Sequence, residues 1–133
     1  MVGIYFSTPY ICGMLISELS KKSGISIHTI RFYEKSGLIE GKRDATVKSN
    51  NYFHYDEVTI EKLEFISDAK SVGFTIKEIG QMMDAWYNKK YTKKQKLQIL
   101  SDKLASLEQK MKEIKDMKRQ IFQFREDVVN DRC

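Results

Sequence analysis

The sequence has few cysteines and no long apolar run. Its two cysteines, Cys12 and Cys133, lie near opposite ends, and neither belongs to a CxxC pair or a histidine-rich cluster. This pattern excludes a disulfide framework and does not indicate a zinc site, so we expect a cytoplasmic protein without a metal or cofactor. No apolar run approaches the ~20 residues that a membrane span requires.

Patterns typical of enzymes are also missing from the 133 residues. The chain has no Ser/His/Asp set, glycine-rich phosphate loop or carboxylate pair, and its length leaves little room for a deep pocket. The first 13 residues, MVGIYFSTPYICG, are apolar but lack the Lys or Arg of a signal peptide. We therefore predict a non-enzymatic protein that is not exported, with residues 1–13 as a flexible extension.

The charge balance is basic. Lys and Arg outnumber Asp and Glu by 23 to 18, and the isoelectric point is about 9.1. This favours a polyanionic partner, such as nucleic acid or an anionic membrane surface. Many basic proteins bind neither, so a specific partner must be inferred from where the cations lie.

Residues 14–87 are predicted to form a compact head of four helices and a hairpin. The first helix stops at Gly24, and Ser26 caps a second helix that ends near Gly37. Residues 40–55, which we call the wing, show no helical period and contain SNN, a typical turn sequence. A third helix follows, and its apolar positions are expected to be buried: Val58, Ile60, Leu63, Phe65, Ile66 and Ala69.

The later helices begin at recognisable caps. Asp56 is expected to cap the third helix, and Thr75 with Glu78 forms a capping box for the fourth. After a linker over residues 88–94, a second capping box opens a final helix over residues 95–129. This helix is about 34 residues and ~50 Å long, because its sequence contains neither Gly nor Pro.

The final helix carries an apolar stripe at steps of three and four residues, the period of a coiled-coil seam. A three-residue step between Ile114 and Met117 rotates the stripe, as a stammer does. The helix either folds back on the head or pairs with a second copy. Only its first turns could fold back, because the head is about half as wide as the helix is long, so a homodimer is favoured. The predicted dimer stripe comprises Leu97, Leu100, Leu104, Leu107, Met111, Ile114 and Ile121.

The second helix, within GISIHTIRFYEKSGLI (24–39), has two different faces. At 100° per residue the basic face contains His28, Arg31, Phe32 and Lys35, and the apolar face contains Ile27, Ile30 and Tyr33. Such a face is usually only solvated. In a helix-turn-helix protein, however, the second helix enters the major groove with its N-terminal residues towards the bases.

That arrangement assigns a role to each side chain of the second helix. Ser26, His28 and Thr29 lie where base edges can be read, and Arg31 can reach a phosphate or a guanine. Tyr33 lies at the margin of the core, from which its hydroxyl could reach a phosphate. The wing adds a second basic and aromatic patch, and two adjacent patches favour DNA as the partner. The wing patch comprises Lys42, Arg43, Lys48, Tyr52 and His54.

The segment TIRFYEKSGLI (29–39) matches the pattern T-(I/L)-R-(Y/F)-Y-E-x-x-G-L-(I/L) of the MerR family of bacterial transcription regulators. The resemblance to that family covers nearly all of residues 14–128. The resemblance implies a mainly α fold, with a winged helix-turn-helix head and a long helix that forms an antiparallel coiled coil in a homodimer. It also implies a pseudo-palindromic promoter operator, whose double-stranded DNA the dimer distorts in response to an effector so that RNA polymerase can use it.

The resemblance places the family's DNA contacts on particular residues. They fall on His28, Thr29, Arg31, Tyr33 and Tyr52, and Lys77 with Lys70 and Thr75 could hold the DNA backbone. The wing departs from the family pattern G-Y-R-x-Y, because it has Phe53 where that pattern has arginine.

The inducing signal is the least defined part of the prediction. Metal-sensing relatives place cysteines at the start and beyond the end of the dimer helix, whereas this chain has only Cys133 there, and one soft ligand makes no selective site. Thiol-sensing relatives use a cysteine of the third helix, where this chain has Asp68. The aromatic residues Trp86, Tyr87 and Tyr91 could line a small-molecule effector pocket, but the favoured explanation is that they wedge the coiled coil against the partner's head.

Two other classes of protein share parts of this pattern. A phage-type excisionase also uses a winged head, but it would be a monomer. A coiled-coil adaptor would dimerise but would not bind duplex DNA in a salt-sensitive way.

Overall fold

The computed structural model describes residues 13–43 and 53–132, which divide into two units at Lys89 and Lys90. In the described ranges the elements are α1 (Ile16–Ser23), α2 (Ile27–Lys35), β1 (Lys42–Arg43), β2 (Phe53–His54), α3 (Glu57–Ser71), α4 (Ile76–Met83) and α5 (Lys93–Val129). A π-helical turn, Asp84–Asn88, continues α4. The predicted mainly α fold, with a winged helix-turn-helix head and a long final helix, is confirmed. Residues 1–12 of the predicted extension, residues 44–52 of the wing and Cys133 lie outside the described residues.

A tight turn joins α1 to α2. Gly24 takes a left-handed φ of 75° and donates its N–H to the carbonyl of Ser20, which ends α1 as a C-terminal glycine commonly does. Ser26 then accepts the backbone N–H of Thr29 at 3.1 Å and starts α2. Ser20 also donates its hydroxyl to the carbonyl of Ile25 at 2.6 Å. These local bonds fix the angle at which α2 leaves the turn.

The expected caps of the later helices are present. Asp56 accepts both the backbone N–H and the hydroxyl of Thr59 at 3.1 Å. The capping box of Thr75 and Glu78 forms at the start of α4, and an equivalent box of Thr92 and Gln95 starts α5. Helix α5 begins at Lys93 and has 37 residues, so it starts two residues earlier than the sequence suggested.

The core of the head is built from one face of each of its helices. Leu19, Ile30, Leu63, Ile66 and Ile79 are fully buried, and burying each contributes about 1.5–3 kcal/mol.

Three predictions for this core differ from the structure, because Ile60 and Phe65 are only half-buried and Val58 is exposed. Val58 is 45% exposed, and its neighbour Thr59 is buried instead. Thr59, Leu63 and Ile66 share a helix face because they lie four and three residues apart. Val58 points away from that face, whereas the hydroxyl of Thr59 can be buried because Asp56 accepts its hydrogen bond.

The base of the wing is an antiparallel pair of two-residue strands. Lys42 pairs with His54, and Arg43 pairs with Phe53. Tyr55, which follows β2, exchanges backbone hydrogen bonds of 2.7 and 2.8 Å with Met14. The segment that leads into α1 therefore extends this small sheet.

The second unit consists of α5, whose apolar stripe is open to solvent in the single chain. Leu104 is 63% exposed, Met111 is 71% exposed and Ile121 is 64% exposed. Exposing a continuous apolar stripe of this length is unfavourable in water. In the described parts of the chain, no helix combines the length and apolarity needed to cross a membrane.

Candidate nucleic-acid interface

Helix α2 presents its basic side chains outward. Its inner face is anchored by Ile30, which is fully buried, and its outer face exposes His28, Arg31 and Lys35. This is the division between an apolar and a basic face that the sequence predicted. The exposed cations form a surface that favours an anionic partner.

The N-terminus of α2 is held by its own polar side chains. Ser26 donates its hydroxyl to the hydroxyl of Thr29 at 3.0 Å and accepts the backbone N–H of the same residue. The two side chains proposed to read bases are therefore ordered before any ligand arrives. Such preorganisation lowers the entropy lost on binding.

Tyr33 lies deeper than the sequence suggested. Its side chain is buried rather than at the margin of the core, and the ammonium group of Lys70 lies 5.9 Å from the centre of its ring. This contact brings a cation from the end of α3 beside α2. The exposed aromatic side chain of α2 is instead Phe32, at 47% exposure, to which sequence reasoning gave no role.

The described part of the wing lies beside this surface. Lys42 is exposed and His54 is half-buried. Arg43 lies in β1, where its backbone pairs with Phe53, and Tyr52 falls outside the described residues. Lys77 is exposed in the first turn of α4.

A groove of about 540 Å³ lies between the start of α1, α2 and the base of the wing. It is lined by Leu15, Ile16, Ser17, Arg31, Glu34, Phe53 and Tyr55. Arg31 thus lies at the junction between α2 and the wing, where one guanidinium group is accessible beside apolar walls. The lining thus combines this cation with the carboxylate of Glu34 and apolar side chains.

Sequence reasoning missed two residues of this groove, Glu34 and Tyr55. The hydroxyl of Tyr55 donates to Oε1 of Glu34 at 2.9 Å, and the backbone N–H of Gly41 donates to Oε2 at 3.3 Å. Burial raises the pKa of the Tyr55 hydroxyl, the hydrogen bond and charge of Glu34 raise it further, and Arg31 partly opposes them. The matching glutamate in the segment TIRFYEKSGLI was the only signal that could have indicated this contact.

The aromatic residues after α4 pack against α3. The ring of Phe65 lies 5.7 Å from that of Trp86 and 5.8 Å from that of Tyr87, and the ammonium group of Lys62 lies 5.4 Å from the Tyr87 ring. Burial also raises the pKa of Tyr87, and the charges of Glu61 and Glu64 add to this effect. Trp86 and Tyr87 therefore pack within the head of their own chain, and the expected contact of these rings with a partner's head stays a prediction.

The residues present do not form an evident metal site. Within residues 13–43 and 53–132, no group of three or more His, Cys, Asp or Glu side chains is placed to hold a metal ion. The two cysteines of the chain lie outside those ranges. A soft metal ion would require several thiolate ligands.

Comparisons with known proteins agree with this geometry. The family model described as MerR HTH family regulatory protein matches residues 14–86, and the model described as MerR, DNA binding matches residues 60–123. A probable heavy metal-dependent transcriptional regulator of Haemophilus influenzae is 33% identical over 104 residues, which cover 78% of this chain and 79% of that protein.

Two further proteins show the same relationship. The HTH-type transcriptional regulator HmrR of Sinorhizobium medicae is 32% identical over 106 residues, covering 80% of this chain and 70% of that protein. The transcription regulator PbrR691 from Ralstonia metallidurans CH34, solved in complex with lead(II), has a TM-score of 0.73 at 28% identity and covers 86% of each chain. This chain, which is not an enzyme, belongs to the MerR family of DNA-binding helix-turn-helix transcription regulators.

Proposed function

We propose that this protein acts as a homodimer on a pseudo-palindromic promoter operator and regulates transcription by distorting the DNA. The observation that carries this proposal is the exposed basic face of α2, whose Arg31 also lines the groove beside the base of the wing. Each head would place α2 in a major groove and the wing on the adjacent backbone. The proposed site of action is the cytoplasm, with RNA polymerase as a further partner at the promoter.

Each side chain of α2 has a role in this proposal. Ser26, His28 and Thr29 face base edges at the N-terminal end, where the positive end of the helix dipole also favours a phosphate. Arg31 binds a phosphate or a guanine at the mouth of the groove. Tyr33 supports α2 from inside, because it is buried beside Lys70 of α3 and is therefore less suited to a phosphate contact than the exposed Arg31.

The remaining contacts are proposed to fall on the DNA backbone. Lys42, Arg43 and Tyr52 with His54 would hold the strand beside the wing, and Lys77 would hold a phosphate near α4. These contacts position the protein without reading sequence. The binding affinity should therefore fall steeply as the salt concentration rises.

The exposed stripe of α5 supports dimerisation. Its apolar side chains are largely exposed in the single chain, and a second copy of the same helix offers a matching surface at coiled-coil spacing. A two-fold symmetric dimer matches a two-fold symmetric operator, so the half-sites are expected one or more helical turns apart, each ~34 Å.

The signal is proposed to differ from that of the metal-responsive relatives. One relative is named a heavy metal-dependent regulator, and another was solved in complex with lead(II). This chain has two cysteines, of which only Cys133 lies near the end of the dimer helix. A single soft ligand holds such an ion only weakly. A small-molecule effector near Trp86 and Tyr91 is the alternative, although Trp86 and Tyr87 are already engaged with Phe65.

Selection of bound fragments from genomic DNA, followed by fluorescence anisotropy on the selected duplex, tests the proposal. Arg31→Ala should weaken binding by about 10- to 100-fold, in keeping with loss of one specific contact. Lys110→Ala, which removes an exposed cation of α5, should change the affinity little. Equal affinity of the wild type and the Arg31→Ala variant would remove the role assigned to α2.

A further inference from the structure

We propose that Glu34 is a positioning residue that fixes the wing to α2, so that both engage DNA as one rigid surface. This inference rests on the proposed DNA-binding function. It adds to that function a residue that does not itself need to touch the DNA.

The carboxylate of Glu34 binds both ends of the wing. Glu34 lies one helical turn after Arg31 on α2. Its Oε2 accepts the backbone N–H of Gly41, the residue before β1, at 3.3 Å. Its Oε1 accepts the hydroxyl of Tyr55, the residue after β2, at 2.9 Å. One side chain therefore joins α2 to the places where the wing leaves and rejoins the head.

The described part of the wing has little stability of its own. Its described strands are two residues long, and an isolated two-stranded hairpin is at best marginally stable in water. A pair of strands this short can pivot about its base unless the base is held on both sides. Hydrogen bonds to a carboxylate are about twice as strong as those between neutral groups.

The two residues that donate to Glu34 also pack against each other. Tyr55 is buried and exchanges two backbone hydrogen bonds with Met14. Gly41 approaches this ring so closely that a Cβ built on it would lie 2.9 Å from Cε1 of Tyr55. Only a residue without a side chain lets the backbone N–H come within reach of Glu34. The carboxylate thus binds two donors that lie against each other at the base of the wing, and it holds that base against α2.

Glu34 could instead act by holding Arg31, because both line the same groove. The two explanations differ in which residue depends on Glu34. If Glu34 fixes the wing, its loss should remove the contribution of Lys42 to DNA binding. If it holds Arg31, its loss should remove the contribution of Arg31 instead.

Two substitutions at Glu34 form a matched pair. Glu34→Ala removes both hydrogen bonds. Glu34→Gln can keep both, because the amide oxygen accepts from Gly41 while the amide NH₂ donates to the hydroxyl oxygen of Tyr55. The glutamine variant therefore removes the charge and preserves the geometry.

The test is a double-mutant cycle on the full chain, read as duplex affinity against salt concentration by fluorescence anisotropy. Lys42→Ala alone should lower the slope of log affinity against log salt by about 1. Glu34→Ala should weaken binding by about tenfold and lower the slope similarly, since the wing contacts are lost. In the Glu34→Ala background, Lys42→Ala should change affinity by less than about twofold. Glu34→Gln should bind like the wild type.

Several results would overturn the inference. Additive effects of Glu34→Ala and Lys42→Ala would show that the wing does not depend on Glu34. If Glu34→Ala were additive with Lys42→Ala but non-additive with Arg31→Ala, the role of Glu34 would be to hold Arg31 and not the wing. Equal loss of affinity in folded Glu34→Ala and Glu34→Gln variants would show that charge, not geometry, matters.

The cycle has its own controls. Circular dichroism checks that each variant is folded. If Glu34→Ala is unfolded, Tyr55→Phe takes its place, because it removes one of the two hydrogen bonds to Glu34. Its effect on DNA affinity should then be non-additive with that of Lys42→Ala. A wild-type protein that shows no salt-sensitive duplex binding would refute the proposed function and this inference with it. Wild-type binding with an additive cycle would refute the inference alone.

Discussion

Gly41 lies against Phe53 across the base of the wing, where a Cβ on Gly41 would come within 2.8 Å of the Phe53 Cβ. Real side chains do not approach so closely, and the facing atom is not the far end of a flexible side chain. The backbone at position 41 can therefore keep this position beside β2 only if the residue there is glycine.

Gly41→Ala should displace the wing. The added methyl group would also meet the Tyr55 ring at 2.9 Å, so the Gly41 N–H should move away from Glu34. We expect DNA affinity to fall by about tenfold or more, since backbone contacts of the wing are lost. Fluorescence anisotropy on the operator duplex measures this, and sedimentation should show an unchanged oligomeric state.

Gly80→Ala is the matched control at a position with room. A Cβ there would meet only Cδ2 of Leu38 at 3.8 Å, which is an ordinary contact. Alanine is favoured over glycine inside a helix by about 0.5–1 kcal/mol. Gly80→Ala should therefore raise the thermal midpoint by a few degrees and leave DNA affinity unchanged. A lower midpoint would show that α4 does not tolerate the methyl group.

Tyr55 should make the protein sensitive to alkaline pH. Its pKa is raised in the folded state above the unfolded value of 10.0, chiefly by burial. Above that value the unfolded chain loses the proton more readily than the folded one. Stability is therefore fully present below about pH 10 and falls as the pH rises through the folded pKa.

Urea unfolding of the wild type and of Tyr55→Phe at pH 8 and pH 11 tests this expectation. The phenylalanine variant should be less stable at pH 8, because it lacks the bond to Glu34, and should lose less stability between the two pH values. Equal losses in both proteins would show that Tyr55 does not control the alkaline transition.

A charge in the middle of the α5 stripe should separate the two chains. Leu104 is largely exposed in the single chain, so Leu104→Glu should not harm the fold of one copy. In the proposed coiled coil it would bury a carboxylate against apolar side chains, which is strongly unfavourable. We expect a monomer by analytical ultracentrifugation.

Ser106→Glu is the control for that experiment. Ser106 lies off the stripe on the same helix and is exposed, so the same charge should leave the dimer intact. If Leu104→Glu and Ser106→Glu were both dimeric, the stripe would not be the interface. If both were monomeric, a charge on α5 would disrupt the dimer at either position.

Lead(II) should bind this protein weakly despite the likeness to a lead-bound regulator. Cys12 and Cys133 are its only thiols, and a selective soft-metal site needs several. Titration followed by thiolate absorption should show no tight stoichiometric complex. A tight complex that disappears in a Cys12→Ser/Cys133→Ser variant would reveal a site shared between the two ends or between two chains.

The local features of this fold could be predicted from the sequence because they depend on neighbouring residues. Gly24, Ser26 and the two capping boxes each act within four positions along the chain. Helical spacing likewise identified the buried Ile30. The error at Val58 arose because an apolar residue was expected inside, whereas Asp56 satisfies the neighbouring Thr59 and allows that residue to be buried.

The non-local features could not be predicted in this way. The contacts of Glu34 join residues seven and 21 positions apart, and no periodicity indicates which donors a carboxylate will meet. The contact of Lys70 with the Tyr33 ring likewise joins residues that are far apart in the sequence. The roles of Tyr52 and Lys48 lie outside the described residues and stay predictions.

Sedimentation of the protein with and without its operator duplex tests the central claim, that two chains joined through α5 hold two heads on one DNA site. We predict a dimer in solution and a complex of two chains with one duplex, lost together in Leu104→Glu. A monomer that binds the operator with undiminished affinity would contradict the account.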